Sequence, residues 1–261
     1  MARKYELLAD QTIEVYGRTL FRIRALVSFG IVKAGELGGY IEAEKNLSDD
    51  GDAWVSGNAR VAGNAWVYGD ARVYGDARVA GDAQVYGNAW VAGNAWVAGN
   101  AWVDGDAQVY GNARVAGNAW VAGNAQVDGD AQVYGNAWVA GNAWVDGDAR
   151  VYGDAWVAGN ARVAGNAQVY GNAWVAGNAW VAGDAEILWF SKVGSELGTL
   201  TAFRAAAGIQ VTRGCFIGSL DEFAAAVTAR HSDSPIAAEY RLLIEVIRLR
   251  LGKADEKREV A

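Results

Sequence analysis

The chain has 261 residues and a formal net charge of −7, with one cysteine, one histidine and one proline. This length is enough for a sizeable core in one or two domains. The negative charge is concentrated in residues 51–188, which hold thirteen acidic residues, six arginines and no lysine. Such a surface lacks the basic stripe that nucleic-acid binding needs, so we expect no nucleic-acid partner.

The lone cysteine, Cys215, excludes an intramolecular disulfide framework. No stretch approaches the roughly 18 uninterrupted apolar residues of a membrane-spanning helix. The N-terminus also lacks the apolar segment of a secretory signal. We therefore expect a cytoplasmic protein without a membrane partner.

Residues 1–50 precede the repeats that dominate the chain. The run Thr19–Val27 predicts a strand, while Gly38–Ile41 and Asn46–Ser48 are typical of irregular first turns leading into a repeat. Because the terminal repeats of a stacked array need atypical ends, we predict that residues 1–50 form a β-rich N-terminal cap.

One six-residue phrase, Gly-(Asn/Asp)-Ala-x-Val-x, runs without a gap from Gly51 to Leu188 in 23 copies, the last relaxed to Gly-Asp-Ala-Glu-Ile-Leu. Alanine and valine alternate with variable residues, which is the period-two pattern of a short strand. Glycine followed by Asn or Asp is a turn signal. A six-residue unit has no room for a crossover helix. The chain must therefore coil, with each strand pairing to the coil above and Ala and Val inside.

This phrase resembles the hexapeptide-repeat family, in which an aliphatic residue is followed four positions later by a small one, as Val55 is by Ala59 and Val97 by Ala101. The resemblance covers about half of the chain. It implies a left-handed parallel β-helix of triangular section with three phrases in each coil. The 23 phrases then give about 7.7 coils and a rod of roughly 37 Å, at about 4.8 Å per coil.

With three phrases per coil, the residue before each valine points outward on one of three faces. Face one carries Trp54, Arg72, Trp90, Gln108, Gln126, Trp144, Arg162 and Trp180. Face two carries Arg60, Arg78, Trp96, Arg114, Gln132, Arg150, Gln168 and Glu186. Face three carries Trp66, Gln84, Trp102, Trp120, Trp138, Trp156 and Trp174. A second, shorter aromatic column on face two consists of Tyr134, Tyr152 and Tyr170.

Five consecutive tryptophans on face three, Trp102 to Trp174, predict an apolar strip flanked by alanines. Each indole can bury about 150–250 Å², so five exceed the few hundred Å² of apolar patch that a monomer usually exposes. We favour a homo-oligomer interface as the contact that buries this strip. In the resembled family, dimers or trimers packed along the rod are common. The chain's own C-terminal helix, a stacked polysaccharide and simple exposure stay open as alternatives.

The corner residues of the coils also form columns. Four asparagines fall in one column and predict a ladder of side-chain amides: Asn124, Asn142, Asn160 and Asn178. Aspartates adjoin elsewhere, Asp130 with Asp148 and Asp52 with Asp70. No coil offers the further oxygen ligands that calcium needs, so we interpret these as solvated charges and predict no metal site.

The character of the chain changes after Leu188. Thr199–Arg204 and Ile209–Arg213 alternate and predict a hairpin. Ser219 and Glu222 form a capping box for a helix to about Arg230, and Ser234-Pro235 begins a second helix. The apolar face of this second helix comprises Ile236, Tyr240, Ile244, Ile247 and Leu251. Residues 189–261 are therefore predicted to form a ββαα cap or oligomerisation domain.

Five segments outside and inside the repeats extend the resemblance to the whole chain: residues 38–42, 46–48, the Gly-Asn-Ala-x-Val repeats, 189–196 and 213–218. Together they are similar to uncharacterised, often prophage-associated bacterial hexapeptide-repeat proteins. This resemblance carries over no established activity.

The chemistry of the resembled enzymes is missing from the repeats. Hexapeptide-repeat acyltransferases use a histidine base, and their carbonic-anhydrase relatives hold zinc with three histidines. The single histidine, His231, falls at the end of a predicted helix, where its charge interacts favourably with the helix dipole. A thiol–imidazole pair of Cys215 with His231 is the weaker hypothesis. We predict no enzyme activity and no cofactor.

The sequence therefore predicts a mainly β protein, a single-stranded left-handed parallel β-solenoid of seven to eight triangular coils over residues 51–188. A β-rich cap lies before it and a small α+β domain after it. The favoured function is a structural or interaction protein that self-associates through the tryptophan column. The alternatives are a glycan- or polymer-binding module that uses the same column, and a degenerate acyltransferase-like protein.

Overall fold

The computed structural model describes residues 3–252, so the outermost residues of both predicted caps lie outside it. The chain is mainly β, with a parallel β-solenoid of about eight turns and a small C-terminal α+β region. Three sheets form the three sides of the coil. The predicted fold class is confirmed. The left-handed sense of the coil stays a prediction from the resemblance.

The N-terminal cap consists of β1 (Tyr5–Val15), β2 (Arg18–Ala25), β3 (Leu37–Ile41) and a 3-10 turn at Glu44–Asn46. The three strands pair antiparallel in that order. Strand β3 also pairs parallel with the rod, placing Tyr40 opposite Arg60 and Ile41 opposite Val61. The predicted strand Thr19–Val27 corresponds to β2, whereas β1 was not predicted.

Asn46 closes the lower end of face three. Its side chain is fully buried, and Nδ2 donates to the carbonyl oxygens of Gly63 at 3.1 Å and Ala65 at 2.8 Å. The next residue, Leu47, forms a bridge with Val67. The side-chain amide thus bonds carbonyl groups that a further coil would otherwise bond.

The rod contains 22 two-residue strands, β4 to β25, spaced six residues apart. In chain order they are Trp54–Val55, Arg60–Val61, Trp66–Val67, Arg72–Val73, Arg78–Val79, Gln84–Val85, Trp90–Val91, Trp96–Val97, Trp102–Val103, Gln108–Val109, Arg114–Val115, Trp120–Val121, Gln126–Val127, Gln132–Val133, Trp138–Val139, Trp144–Val145, Arg150–Val151, Trp156–Val157, Arg162–Val163, Gln168–Val169, Trp174–Val175 and Trp180–Val181.

The strands pair only with strands one coil away, which gives three sheets matching the predicted faces. Face one is an eight-stranded sheet and face three a seven-stranded sheet, while face two continues β1–β3 in a ten-stranded sheet. The valines of these strands are fully buried. The interior is therefore a continuous core of Val and Ala, as the alternation predicted.

Glycine occupies the corner where successive coils approach most closely. At Gly117 the backbone φ is +75°, a left-handed conformation that residues with a Cβ rarely adopt. A Cβ there would also lie 2.9 Å from the carbonyl oxygen of Gly135 in the next coil. Both the conformation and the spacing of the coils therefore require glycine.

The twenty-third phrase does not continue the coil. Asp184–Glu186 forms a 3-10 turn, and Ile187 already begins a strand of the C-terminal sheet. Glu186, which the spacing assigned to face two, therefore lies outside the face-two sheet. The relaxed sequence of this phrase, with Glu and Ile in place of the variable residue and Val, marks the change.

The C-terminal region is an antiparallel sheet of β26 (Ile187–Val193), β27 (Gly198–Ala205), β28 (Gly208–Arg213) and β29 (Phe216–Ser219), followed by α1 (Leu220–His231) and α2 (Pro235–Leu251). The predicted hairpin corresponds to β27 and β28. Strands β26 and β29 were missed, because the first begins inside the last phrase and the second has only four residues. Ser219 caps α1 and Ser234 caps α2, as predicted.

We expect Val121→Asp to unfold the rod locally, because an unpaired carboxylate would replace a fully buried side chain. Losses of this kind exceed about 4 kcal/mol in the free energy of unfolding. For a chain of this size, the melting temperature would fall by about 10 °C or more. Circular dichroism during heating measures the effect.

The matched control is Ala122→Asp, one residue along the chain, at a phrase position where Asp104, Asp128 and Asp146 occur naturally. This control should melt close to wild type. If both variants had the melting temperature of wild type, Val121 would not be an interior residue.

Candidate functional site

The five tryptophans of face three stack in register along the rod. Trp102 pairs with Trp120, Trp120 with Trp138, Trp138 with Trp156, and Trp156 with Trp174. The centroids of successive rings lie 5.7, 4.6, 4.8 and 6.2 Å apart. The indoles therefore touch one another in a continuous row.

Two tyrosines outside the predicted tryptophan column extend this row. Tyr68 stacks on Trp66 at 4.0 Å and on Tyr86 at 4.9 Å, and Tyr86 meets Trp102 at 6.1 Å. Each tyrosine follows a face-three valine, at the position that Ala122 holds higher up, so sorting both outward positions by coil would have found them. The aromatic ladder is the resulting row of eight rings: Trp66, Tyr68, Tyr86, Trp102, Trp120, Trp138, Trp156 and Trp174.

The rings of the aromatic ladder pack against one another as well as facing solvent. Trp138 and Trp156 lie nearly parallel, at 11°, while the other tryptophan pairs meet edge to face. Trp102 and Trp156 are still 39 % and 42 % exposed, and Trp120 and Trp138 are half-buried. The predicted apolar strip is thus a ridge of rings that pack on one another.

Two rows of side-chain amides border the aromatic ladder. On one side, Nδ2 of Asn124, Asn142 and Asn160 donates to Oδ1 of the asparagine one coil further, at 3.0, 2.9 and 3.1 Å. On the other side, Asn100, Asn118 and Asn136 donate in the same direction at 2.9, 2.9 and 2.8 Å, and the row ends at Asp154. An ionised carboxylate can accept but not donate, so Asp154 terminates the second row, while the first row ends at Asn178.

Face three is the rod face whose own repeats contain no basic residue, while Lys45 of the cap donates to Oδ1 of Asn64 at 2.6 Å at its lower end. All six arginines of the repeats lie on faces one and two, where Arg72 sits over Trp90 and Arg162 over Trp144. The face-three phrases contain three carboxylates, and each accepts a hydrogen bond: Asp82 from Asn64 at 2.9 Å, Asp104 from Tyr86 at 2.6 Å and Asp154 from Asn136 at 2.8 Å. The two phrases of Trp120 and Trp138 carry no charge.

Among the described residues, the C-terminal region bonds the aromatic ladder at its last member, Trp174. The backbone N–H of Trp174 donates to Oγ1 of Thr201 at 3.0 Å, and Oγ1 of Thr212 donates to the Trp174 carbonyl at 2.7 Å. Helices α1 and α2 pack instead on the C-terminal sheet, in a separate cluster with Leu200 and Val211. Within the described residues, the alternative of a C-terminal helix over the tryptophans is therefore wrong.

The second aromatic column lies on face two as a regular stack. Tyr134, Tyr152 and Tyr170 have ring centroids 5.3 and 5.2 Å apart with planes within 13°, and Trp189 continues the column at 6.1 Å. The hydroxyl of Tyr152 donates to Oε1 of Gln132 at 2.6 Å.

The remaining predictions concern a metal site, the exposure of the face-one tryptophans and membrane-spanning helices. Among the residues whose side chains the structure describes, no three acidic, histidine or cysteine side chains come together as metal ligands. Trp54, expected on the surface of face one, is only 5 % exposed because Phe29 of the cap packs on it at 5.5 Å. Neither α1 nor α2 combines the length and apolar character that a bilayer crossing needs.

Comparison with protein families supports the repeat architecture. The sequence profile described as YdcK Beta solenoid repeat matches residues 53–69, 71–85, 83–99, 107–123, 131–147 and 167–183. Every matched segment falls within the rod and spans close to one coil. The chain is thus a β-solenoid repeat protein. The comparison with curated proteins finds no match.

We expect Asn142→Asp to weaken the rod by about 1 kcal/mol, because the variant cannot donate the hydrogen bond that Asn142 gives to Asn160. Asn178→Asp is the matched control, since Asn178 accepts from Asn160 and ends the row. Thermal melts should separate the two variants. Equal losses would show that the amide row contributes nothing beyond the charge of a new carboxylate.

We also expect the rod to lose stability in alkali. Burial raises the pKa of Tyr86 above its usual value of 10.0, and the hydrogen bond and negative charge of Asp104 raise it further. Because the pKa of Tyr86 is higher in the folded than in the unfolded chain, its contribution to the free energy of unfolding is fully present below about pH 10. That contribution is lost as the pH rises. Tyr86→Phe should therefore lose less stability than wild type between about pH 9 and 12.

Melts across this pH range, with phenolate absorbance followed in parallel, measure the difference. Tyr16→Phe is the control, because the Tyr16 ring is 92 % exposed. Identical alkaline slopes for wild type and Tyr86→Phe would contradict the contribution of the Tyr86–Asp104 pair.

Proposed function

We propose that the protein is a non-enzymatic structural β-solenoid that self-associates side by side through the aromatic ladder of face three. The observation that carries this proposal is an uninterrupted row of eight rings on the one rod face whose repeats contain no basic residue. Indoles of this size dominate the energetics of protein interfaces when they are buried. A second copy of the chain offers the same apolar ridge and the same bordering amides.

The charge of the rod supports this choice of face. Two acidic rods repel each other, and like charges placed opposite one another across an interface cost several kcal/mol. The phrases of Trp120 and Trp138 carry no charged residue, so two copies can approach there with the least repulsion. Asn118 and Asn136 are the corner residues of these two phrases and can exchange hydrogen bonds with a partner.

The closed ends of face three favour lateral over end-to-end association. Unpaired strand edges are the usual route by which sheets join. Thr201 and Thr212 bond the outer edge of Trp174, and Asn46 bonds the carbonyls of Gly63 and Ala65 at the other end. Because both ends of face three are already hydrogen-bonded, a second copy of the chain would contact the long side of the rod.

The geometry fits protein packing better than sugar stacking. A carbohydrate platform needs free aromatic faces, but Trp138 and Trp156 stack on each other with centroids 4.8 Å apart. The glycan-binding alternative is therefore kept as an outcome of the test. The acyltransferase-like alternative has no histidine within the repeats to act as a base.

The test is the absolute mass in solution of wild type and of the triple variant Trp120→Gln/Trp138→Gln/Trp156→Gln, by size exclusion with light scattering. Glutamine occupies the same phrase position at Gln108, Gln126 and Gln132, so the coil accepts it. Wild type should have a mass that is a multiple of 27.6 kDa. The triple variant should be a monomer.

The matched control is Trp90→Gln/Trp144→Gln/Trp180→Gln, which removes three exposed indoles from face one. This control should remain an oligomer. A monomeric wild type, or the same mass for both triple variants, would overturn the proposal. A monomeric wild type whose indole fluorescence is quenched by a neutral polysaccharide would establish the glycan alternative instead.

A further inference from the structure

The C-terminal region contains a cavity that neither the rod nor the aromatic ladder uses. It measures about 350 Å³ and lies among the β26–β27 turn, the β28–β29 turn and the facing sides of α1 and α2. Its lining includes Cys215 and His231, the single cysteine and the single histidine of the chain. Its volume lies in the range of small-molecule sites, about 300–1,000 Å³.

One wall of the cavity is apolar and rigid. Phe223, Val227 and Tyr240 are all at least nine-tenths buried. The ring of Phe223 lies 5.3 Å from Phe216 and 5.4 Å from Tyr240, measured between centroids. This wall is suited to the hydrocarbon or aromatic body of a ligand.

The charged lining is predominantly cationic. Arg213 is held in place, because Nε donates to the Tyr240 hydroxyl at 3.0 Å and Nη2 donates to the Val193 carbonyl at 2.8 Å. Arg230, in the last turn of α1, has no ion-pair partner among the described residues, and Glu196 is the single carboxylate of the lining. The C-terminal end of α1 contributes only about half a negative charge, and Glu196 contributes one more. The two positive charges of the guanidinium groups exceed that sum.

Two residues next to the cavity lining have a strained backbone. Leu197 follows Glu196 with φ +46°, and Ser232 follows His231 with φ +48°. Strain of this kind concentrates at ligand clamps and active sites. Gly194, in the same turn as Leu197, approaches Tyr240 so closely that a Cβ would overlap the hydroxyl. Glycine at this position therefore lets the turn that carries Ser195 and Glu196 pack directly against the cavity wall.

We propose that this cavity binds a small acidic molecule with an apolar body. The guanidinium groups of Arg213 and Arg230 would hold its carboxylate or phosphate, and the wall of Phe223 and Tyr240 would hold the body. Planar guanidinium groups match both kinds of oxyanion. The binding site is separate from the aromatic ladder, so it adds a ligand to the proposed scaffold.

Cys215 provides the test, because a single exposed thiol at the cavity reports its occupancy. The full-length protein is treated with the uncharged reagent dithiodipyridine, and the released thiopyridone is followed by absorbance. Benzoate and phenyl phosphate are the probes, with benzyl alcohol as the uncharged analogue and sodium chloride to match ionic strength. A probe that binds with a Kd of about 1 mM slows labelling about tenfold at about 10 mM.

Protection by benzoate or phenyl phosphate, but not by benzyl alcohol, is the expected result, and the stronger of the two identifies a carboxylate or a phosphate ligand. Arg230→Gln should abolish the protection, while Arg250→Gln, an exposed arginine of α2 outside the cavity, should preserve it. Circular dichroism verifies that both variants fold. Equal protection by benzyl alcohol, no protection by any probe, or full protection in Arg230→Gln would overturn the proposal.

Discussion

Each coil of the rod stacks on the next in an 18-residue register, and glycine occupies the corners where the coils meet. Gly117 shows both reasons, a left-handed φ and a Cβ position only 2.9 Å from the next carbonyl oxygen. Because the phrase length and the register are fixed, every side chain meets its counterpart one coil away. A residue type that recurs at this spacing must therefore form a row, whether it is Val inside, Asn at a corner or Trp outside.

The same register explains why the surface of the rod is chemically divided. Arginines and glutamines interrupt faces one and two, so their tryptophans are separated or paired with a cation, as Trp144 is with Arg162. On face three the tryptophans are consecutive, and the rings pack on one another between two amide rows. Ring packing buries part of each indole, yet Trp102 and Trp156 keep about two-fifths of their surface exposed. The proposed self-association would bury that remainder.

The repeats could be predicted from the sequence because their local and long-range signals agree: alternation places Val121 inside, and the period places Trp120 beside Trp138. The structure at the two ends of the rod was harder to predict, because contacts that occur only once determine it. No sequence pattern indicates that the side chain of Asn46 donates hydrogen bonds to the first coil, or that β26 begins within the last repeat phrase. Tyr68 and Tyr86 were missed because ring contacts cross between two positions of the phrase. The cavity at Cys215 depends on how α1 and α2 fold back on the sheet, which hydrophobic spacing does not specify.

The most direct test of lateral association through face three is the position at which two copies can be joined covalently. In a Cys215→Ser background, Ala140→Cys places a thiol beside Trp138 on face three, and Ala116→Cys places one at the equivalent, equally half-buried position on face two. Mild oxidation followed by non-reducing electrophoresis measures intermolecular disulfides. The account predicts a covalent dimer for Ala140→Cys and little for Ala116→Cys. Equal yields, or dimers from Ala116→Cys alone, would contradict it.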